Sequence, residues 1–131
     1  MTVPFWCLLV AVVIPYVLAV FGATQRQAQL GQADNKNYRV TQVPKLVGAG
    51  SRAYAAQANA WEALAVFTAA VTVAHLSGAD QRLSAIAALV FVGARVLHAV
   101  FYLADLDKLR STSVAVGTGC CVWLFVLAAQ A

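Results

Sequence analysis

Four long apolar stretches, separated by polar segments, dominate the hydrophobic pattern of the chain. They run from about 3 to 21, 52 to 75, 82 to 103 and 113 to 129. Each is close to the roughly 20 residues that an α-helix needs to cross the hydrocarbon core of a bilayer. The pattern therefore predicts an all-α membrane protein, with four transmembrane helices in a single domain over residues 1–131. The first stretch is expected to be a retained span rather than a signal peptide, because no positive charge precedes it.

The longest polar segment, residues 22–50, joins the first two stretches. Its QRQAQ run is expected to extend the first helix beyond the membrane surface. Asp34-Asn35 is typical of a turn, because both side chains bond readily to nearby backbone. A segment of this length is usually functional or disordered unless it forms structure of its own.

Composition supports the membrane interpretation. The chain is 62% hydrophobic and 11% charged, against about 45–50% apolar and about 25% charged residues in soluble domains. Its net charge of +4 would favour nucleic acid in a soluble protein, but the basic residues here are grouped in two loops. Those on one side of the membrane are Arg26, Lys36, Arg39, Lys45, Arg52, Lys108 and Arg110, seven of the nine lysines and arginines.

This charge distribution predicts the topology. The positive-inside rule places segments 22–51 and 104–112 in the cytosol and both termini outside, which in a bacterium means the inner membrane with periplasmic termini. Of the other two cations, Arg82 lies on the opposite side and Arg95 lies within a span. Nucleic acid is therefore not an expected partner, whereas membrane lipids are.

The cysteines and histidines predict neither a disulfide framework nor a metal site. Cys7, Cys120 and Cys121 all lie in apolar stretches without framework spacing, so we interpret them as small buried residues. His98 has no second metal-binding side chain at ligand spacing in its own segment, and His75 lies at the far end of another.

Polar residues within the second and third stretches are the candidate functional groups, since such groups are costly in a membrane. Arg52, Asn59 and Glu62 are spaced by seven and three residues, which places them on one helical face. Spacings of three, four and three place another set on one face of the next helix. That set is Arg95, His98, Tyr102 and Asp105.

The depth of each residue in the membrane follows from its distance along the helix from the cytosolic end, at about 1.5 Å per residue. By this count, residues on the two faces lie at matching depths. Glu62 and Arg95 both fall near the midplane, so we predict that they form an ion pair. Asn59 and His98 are expected in the adjoining layer, and Arg52 near Tyr102 and Asp105. Such a layer would serve either as a polar lock between helices or as part of a binding site.

Two segments resemble signatures of the MAPEG superfamily, which includes microsomal glutathione transferases, leukotriene C synthase and microsomal prostaglandin E synthase. They are RAYAAQANAWE in the second stretch and ARVLHAVFYLADLDKLRS from the third into the fourth. The resemblance covers nearly the whole chain and is closest to the bacterial-type members. It implies a left-handed four-helix bundle assembled as a homotrimer. It also implies that glutathione binds as cosubstrate between subunits, in a cleft opening toward the cytosol.

The resemblance also assigns residue roles. It places Arg52, Asn59 and Glu62 in the helix-two glutathione-binding motif, and Arg95, His98 and Tyr102 in the helix-three motif. Arg110 is the nearest candidate for the catalytic arginine that stabilises the thiolate. The chain departs from the family pattern at Ala55 and Ala58, where active enzymes carry one or two arginines, and at Val114, where one branch carries a tyrosine. The spacing from Tyr102 to Arg110 is also one residue shorter than in the eukaryotic enzymes of the family.

Three functions follow from these observations. The first is a glutathione-dependent transferase or peroxidase acting on lipophilic electrophiles from the bilayer. The second, favoured by Ala55 and Ala58, is a non-catalytic membrane protein of the same fold that binds a lipid or another anionic ligand. The third is a small transporter or channel gated by Glu62 and Arg95, which four short spans with one ionisable layer disfavour.

Overall fold

A computed structural model describes residues 1–31 and 34–131 of the chain, and the described part consists of helices joined by turns and loops, without strands. Its helices are α1 (Val3–Leu30), the short α2 (Tyr38–Thr41), α3 (Ala49–Leu76), α4 (Gln81–Leu103) and α5 (Asp107–Ala129), with one turn of 3-10 helix at Val43–Lys45. The four long helices contain the four predicted apolar stretches. The expected all-α class is confirmed.

Local sequence explains where α1 begins and ends. Pro4 lies in its first turn, where the missing N–H of proline costs nothing. Gly31 ends the helix with φ +69°, in the left-handed region that glycine enters without steric cost, and its N–H bonds to the Gln27 carbonyl. The helix thus continues through the QRQAQ run, as predicted.

The polar segment after α1 has structure of its own. Asp34 Oδ1 accepts the Lys36 N–H at 3.0 Å, which forms the predicted turn. Gln29 of α1 fastens the end of the segment through two bonds to Val47, one with the carbonyl and one with the N–H. Residues 32 and 33 lie outside the described part. Short helices and these bonds replace the unstructured loop that the sequence alone permits.

The four long helices pack as a bundle. α3 and α4 contact each other and both remaining helices, so α1 and α5 lie on opposite sides. The main core cluster lies in the half of the bundle near the α3–α4 turn, where Phe67 and Phe91 stack at 3.8 Å between ring centroids. A smaller cluster around Leu18, Ala56 and Ala60 lies toward the other end.

The exterior of the bundle matches a membrane environment, with one exception. α1, α4 and α5 are each long and apolar enough to cross a bilayer, and they expose many large hydrophobic side chains. α3 is not among these candidates, because Arg52, Gln57, Asn59 and Glu62 lower its hydropathy. That α3 also spans the membrane stays a prediction.

Candidate functional site

The buried face of α4 carries an arginine and a histidine side by side. Arg95 is 4% exposed and His98 is 2% exposed. Arg95 Nη2 donates a hydrogen bond of 2.8 Å to Asn59 Oδ1 on α3, and it lies 3.3 Å from His98 Nδ1. The stem of Arg95 packs beside Gly117 of α5, where an added Cβ would lie 3.6 Å from Arg95 Cδ, an ordinary van der Waals contact. A buried cation is thus held by neutral groups from two helices.

The row of polar groups continues from His98 toward the predicted cytosolic end. The rings of His98 and Tyr102 meet edge to face at 5.4 Å. The guanidinium of Arg110, on the first turns of α5, lies over the Tyr102 ring at 4.3 Å from its centroid, a cation–π contact. We call the set Asn59, Arg95, His98, Tyr102 and Arg110 the polar row.

The predicted ion pair between Glu62 and Arg95 is wrong for a single subunit. Glu62 is exposed, and the ion pair found among the described residues joins Arg52 to Asp105 instead. Depth counting gives the level of a residue along a helix but not its direction around the axis. Glu62 points out of the bundle, so Arg95 bonds to Asn59, about one turn shallower.

Arg52 is where the depth argument placed it. Its Nη1 lies 3.5 Å from Asp105 Oδ2, and its Nε donates to the Leu103 carbonyl at 3.1 Å. Asp105 has φ +63°, in the left-handed region, at the turn between α4 and α5. Arg52 therefore covers the end of α4, and its predicted role in ligand binding has no direct geometric support.

Glu62 and Arg95 nevertheless line the same cavity. It has a volume of about 210 Å³ and lies between α3, α4 and α5, with Asn59, Thr118 and Cys121 also on its wall. The outward-pointing carboxylate thus stands at a cavity whose inner wall carries a guanidinium. The cavity connects the polar row with the exterior face of α3.

That exterior face of α3 is made of five small residues and one glutamate, at alternating spacings of four and three. We call it the outward face, and all its members are exposed. It consists of Ser51, Ala55, Ala58, Glu62, Ala65 and Ala69. The spacing is the heptad pattern of helices that pack at a small angle. Within residues 1–31 and 34–131 of one subunit, no helix covers it.

A second buried cation, Arg26 of α1, is not among the candidates that the sequence predicts. It is 4% exposed, its Nη2 donates to Asn35 Oδ1 at 3.2 Å, and it stacks on the Tyr38 ring at 4.1 Å. Its Nε and Nη1 are buried without a partner among the described residues. A signal existed, because Arg26 follows Leu18 and Gly22 at four-residue steps on the buried face of α1.

A second cation contacts the same tyrosine. Arg39 Nε donates to the Tyr38 hydroxyl at 3.2 Å, and this bond raises the pKa of Arg39 above its ordinary value. The Tyr54 ring lies 6.2 Å from the Tyr38 ring and packs tightly over Gly22, where an added Cβ would lie 3.0 Å from Tyr54 Cε2. The polar segment after α1 is therefore held over the bundle by an aromatic and cationic cluster.

The chemistry of these groups suits an anion. Within residues 1–31 and 34–131, no three of the histidine, cysteine and acidic side chains form a group able to hold a metal ion. Three arginines instead supply cationic donors. Two of them, Arg95 and Arg110, belong to the polar row, and the third, Arg26, lies on α1. Guanidinium groups bind carboxylates by paired, charge-assisted hydrogen bonds.

Comparison with known proteins identifies a family to which nearly the whole chain is similar. A family model described as the MAPEG family matches residues 3–130, essentially the whole sequence. No curated protein matches the chain.

Proposed function

Because this chain belongs to the MAPEG family, a family of membrane proteins of glutathione and eicosanoid metabolism, we propose that it is a glutathione-dependent transferase or peroxidase. Its substrates would be lipophilic electrophiles that enter from the bilayer. The reaction site would lie between subunits and open toward the cytosol. The polar row from Asn59 to Arg110 is the observation that carries this proposal.

Glutathione fits the charge of the row. The tripeptide has two carboxylates and one ammonium group at neutral pH, so it is a net anion. Arg95 is held by the neutral groups of Asn59 and His98. Outside the row, Arg26 also has two nitrogens without a partner among the described residues. A buried cation without a counter-ion is unfavourable. A carboxylate from the ligand would offset that cost.

Arg110 is proposed as the catalytic residue. A cation close to the glutathione sulfur stabilises the thiolate, which is the nucleophile in place of the neutral thiol. The thiolate sulfur would then bond to the electrophilic carbon of the substrate, and the leaving group, such as a halide, would depart with the bonding electrons. Stacking on Tyr102 holds the Arg110 guanidinium in place without neutralising it.

The outward face of α3 supports assembly with further copies of this chain, and we propose the trimer that the family resemblance implies. Small residues let helices approach closely within a membrane. Glu62 in the middle of this face would be costly in contact with lipid. Packing of α3 against a neighbouring subunit would shield its carboxylate beside the cavity that Glu62 and Arg95 both line.

The proposal is tested with the purified protein in nanodiscs. Calorimetry measures glutathione binding, and an aryl halide reports conjugation. We expect saturable binding and turnover, with Arg110→Ala lowering kcat about 100-fold through loss of charge stabilisation. Lys108→Ala, which removes an exposed cation two residues away, is the matched control and should keep wild-type turnover.

A second function is favoured by one observation. Ala55 and Ala58 both point out of the subunit along the outward face of α3, where active relatives were expected to supply arginine. A non-catalytic protein that binds a lipid or another anion in the same cleft would need no such cations. Glutathione or lipid binding without turnover, unaffected by Arg110→Ala, would support this second function. Absence of both glutathione binding and turnover would end the first proposal.

A further inference from the structure

The segment between α1 and α3 folds back onto the bundle. The guanidinium carbon of Arg26 on α1 lies 4.1 Å from the centroid of the Tyr38 ring, and the Tyr54 ring of α3 lies 6.2 Å from that ring. Near the end of the segment, Leu46 is buried at 5% exposure. We call residues 34–47 the strap. Stacked rings near its start and a buried leucine near its end hold the strap against the bundle.

These contacts place α2 at the predicted edge of the membrane. The first apolar stretch is predicted to end near residue 21, and the second to begin near residue 52. Arg26 lies five residues beyond the first limit, which is about 7.5 Å along a helix, and Tyr54 lies just inside the second. Each headgroup layer of a bilayer is about 5–7 Å thick. The ring of Tyr38, between these two residues, is therefore at the level of the lipid headgroups, where tyrosine is enriched.

The surface that α2 presents at this level is basic. Lys36 and Arg39 are exposed, and Val40 beside them is 77% exposed. Asp34 is the one acidic residue of the strap, and its Oδ1 already accepts the Lys36 N–H and the Gln42 side-chain amide, each at 3.0 Å. We call Lys36, Arg39 and Val40 the basic patch. A single exposed valine is ordinary on a protein surface, but this one lies between cations at headgroup level.

An anionic lipid surface matches the basic patch in both charge and polarity. A leaflet that contains anionic lipids attracts each nearby lysine or arginine, by about fivefold per cation. It also offers an apolar layer just below the phosphates, in which an exposed valine is favoured. A soluble anion offers no such layer for Val40. A second copy of the chain that presented the same patch would be repelled by its charge.

We propose that the basic patch docks on anionic phospholipid headgroups of the adjacent leaflet. Lys36 and Arg39 would bind phosphate oxygens by charge-assisted hydrogen bonds, and Val40 would lie among the headgroups. Docking goes beyond the topological effect of the same cations, which decides only the side of the membrane on which the strap lies. It uses no residue of the polar row, so its failure would leave the proposed function untouched.

The test is hydrogen exchange of the α2 amides with the full chain in nanodiscs. Three N–H groups, those of Val40, Thr41 and Gln42, bond to backbone carbonyls of the same turn, so their exchange reports local opening of the turn. We expect exchange about tenfold slower in phosphatidylcholine with added phosphatidylglycerol than in phosphatidylcholine alone. High salt should remove the difference, because it screens exposed charges.

Matched variants separate the basic patch from charge and apolarity in general. Lys36→Gln should lower the protection about fivefold, whereas Lys108→Gln removes an exposed cation outside the strap and should not change it. Val40→Ser should lower the protection about threefold through loss of apolar contact. Val47→Ser changes a valine that is 71% exposed on the same strap, but Gln29 holds it near the end of α1, so protection should stay unchanged.

Three results would overturn the proposal. The first is equal exchange of the wild type in the two kinds of nanodisc, a comparison that depends on no variant. The second is equal loss of protection in Lys36→Gln and Lys108→Gln, or in Val40→Ser and Val47→Ser. The third is protection that persists in detergent without phospholipid, which would mean that another subunit covers the basic patch. Exchange of the α4 amides, which should not change, reports that each variant is folded.

Discussion

The neighbouring helices α3 and α4 direct charged residues to opposite sides: α4 points them into the bundle, and α3 points Glu62 out of it. α4 turns Arg95 and His98 into the bundle, where Asn59 and the Tyr102 ring contact them. α3 turns Glu62 outward, in the middle of a face of otherwise small residues that no helix in the described part of the same subunit covers. The polar residues on the buried face of α4 thus have partners within the subunit. The outward face of α3 has no helix packed on it in the described part of the subunit.

The difference separates two kinds of polar residue in a membrane helix. An inward residue is stabilised by its own subunit, so its loss should be seen in subunit stability. An outward residue depends on a partner outside the subunit, so its loss should be seen in assembly or ligand binding.

The largest effect on stability is expected at Asn59. Asn59→Leu removes the acceptor of the 2.8 Å bond from Arg95 and leaves a buried guanidinium with one weak partner. We expect a loss of about 2 kcal/mol in the free energy of unfolding. Unfolding in mild detergent by added SDS measures it.

Glu62→Gln is the matched control for Asn59→Leu. It lies one turn away but is exposed, so in the monomeric subunit it should change stability by about 0.5 kcal/mol or less. A larger loss of unfolding free energy in Glu62→Gln than in Asn59→Leu would mean that the carboxylate pairs with Arg95 inside the subunit. The contrast between an inward α4 and an outward α3 would then be wrong.

A smaller effect is expected on assembly. Ala58→Leu places a bulky side chain in the middle of the outward face, where small residues permit close helix approach. We expect subunit association to weaken about tenfold, an effect of about 1.4 kcal/mol, with little change in unfolding. Single-molecule photobleaching in vesicles counts the subunits.

The control for assembly is Ala115→Leu, the same enlargement at an exposed position of α5. It should assemble as the wild type does. Equal weakening by both variants would mean that the outward face of α3 has no special role in association.

The smallest effect is expected at the surface ion pair. Asp105 is 70% exposed in its pair with Arg52, and such pairs contribute at most about 1 kcal/mol. Asp105→Asn keeps a residue type that tolerates φ +63°. We expect an unfolding change below about 0.5 kcal/mol. A larger loss would show that Arg52 and Asp105 act within the polar row.

Much of this architecture could be predicted from the sequence, because hydropathy locates apolar helices and three- and four-residue spacings locate faces. Arg95, His98 and Tyr102 were placed on one stripe, and the structure joins them in one row. The partner of Arg95 was not predictable, because it depends on how α3 is rotated about its axis. Arg26 was missed because a cation continuing an apolar face looks like part of a solvated loop.

The most direct test of the central claim measures the ionisation of bound glutathione. The ultraviolet absorbance of the thiolate is recorded while glutathione is titrated into the wild type, Arg110→Ala and Lys108→Ala in nanodiscs. The account predicts a saturable thiolate signal at neutral pH for the wild type and Lys108→Ala. It predicts loss of that signal in Arg110→Ala even when calorimetry shows glutathione bound. Bound glutathione that stays a neutral thiol in the wild type would contradict the account.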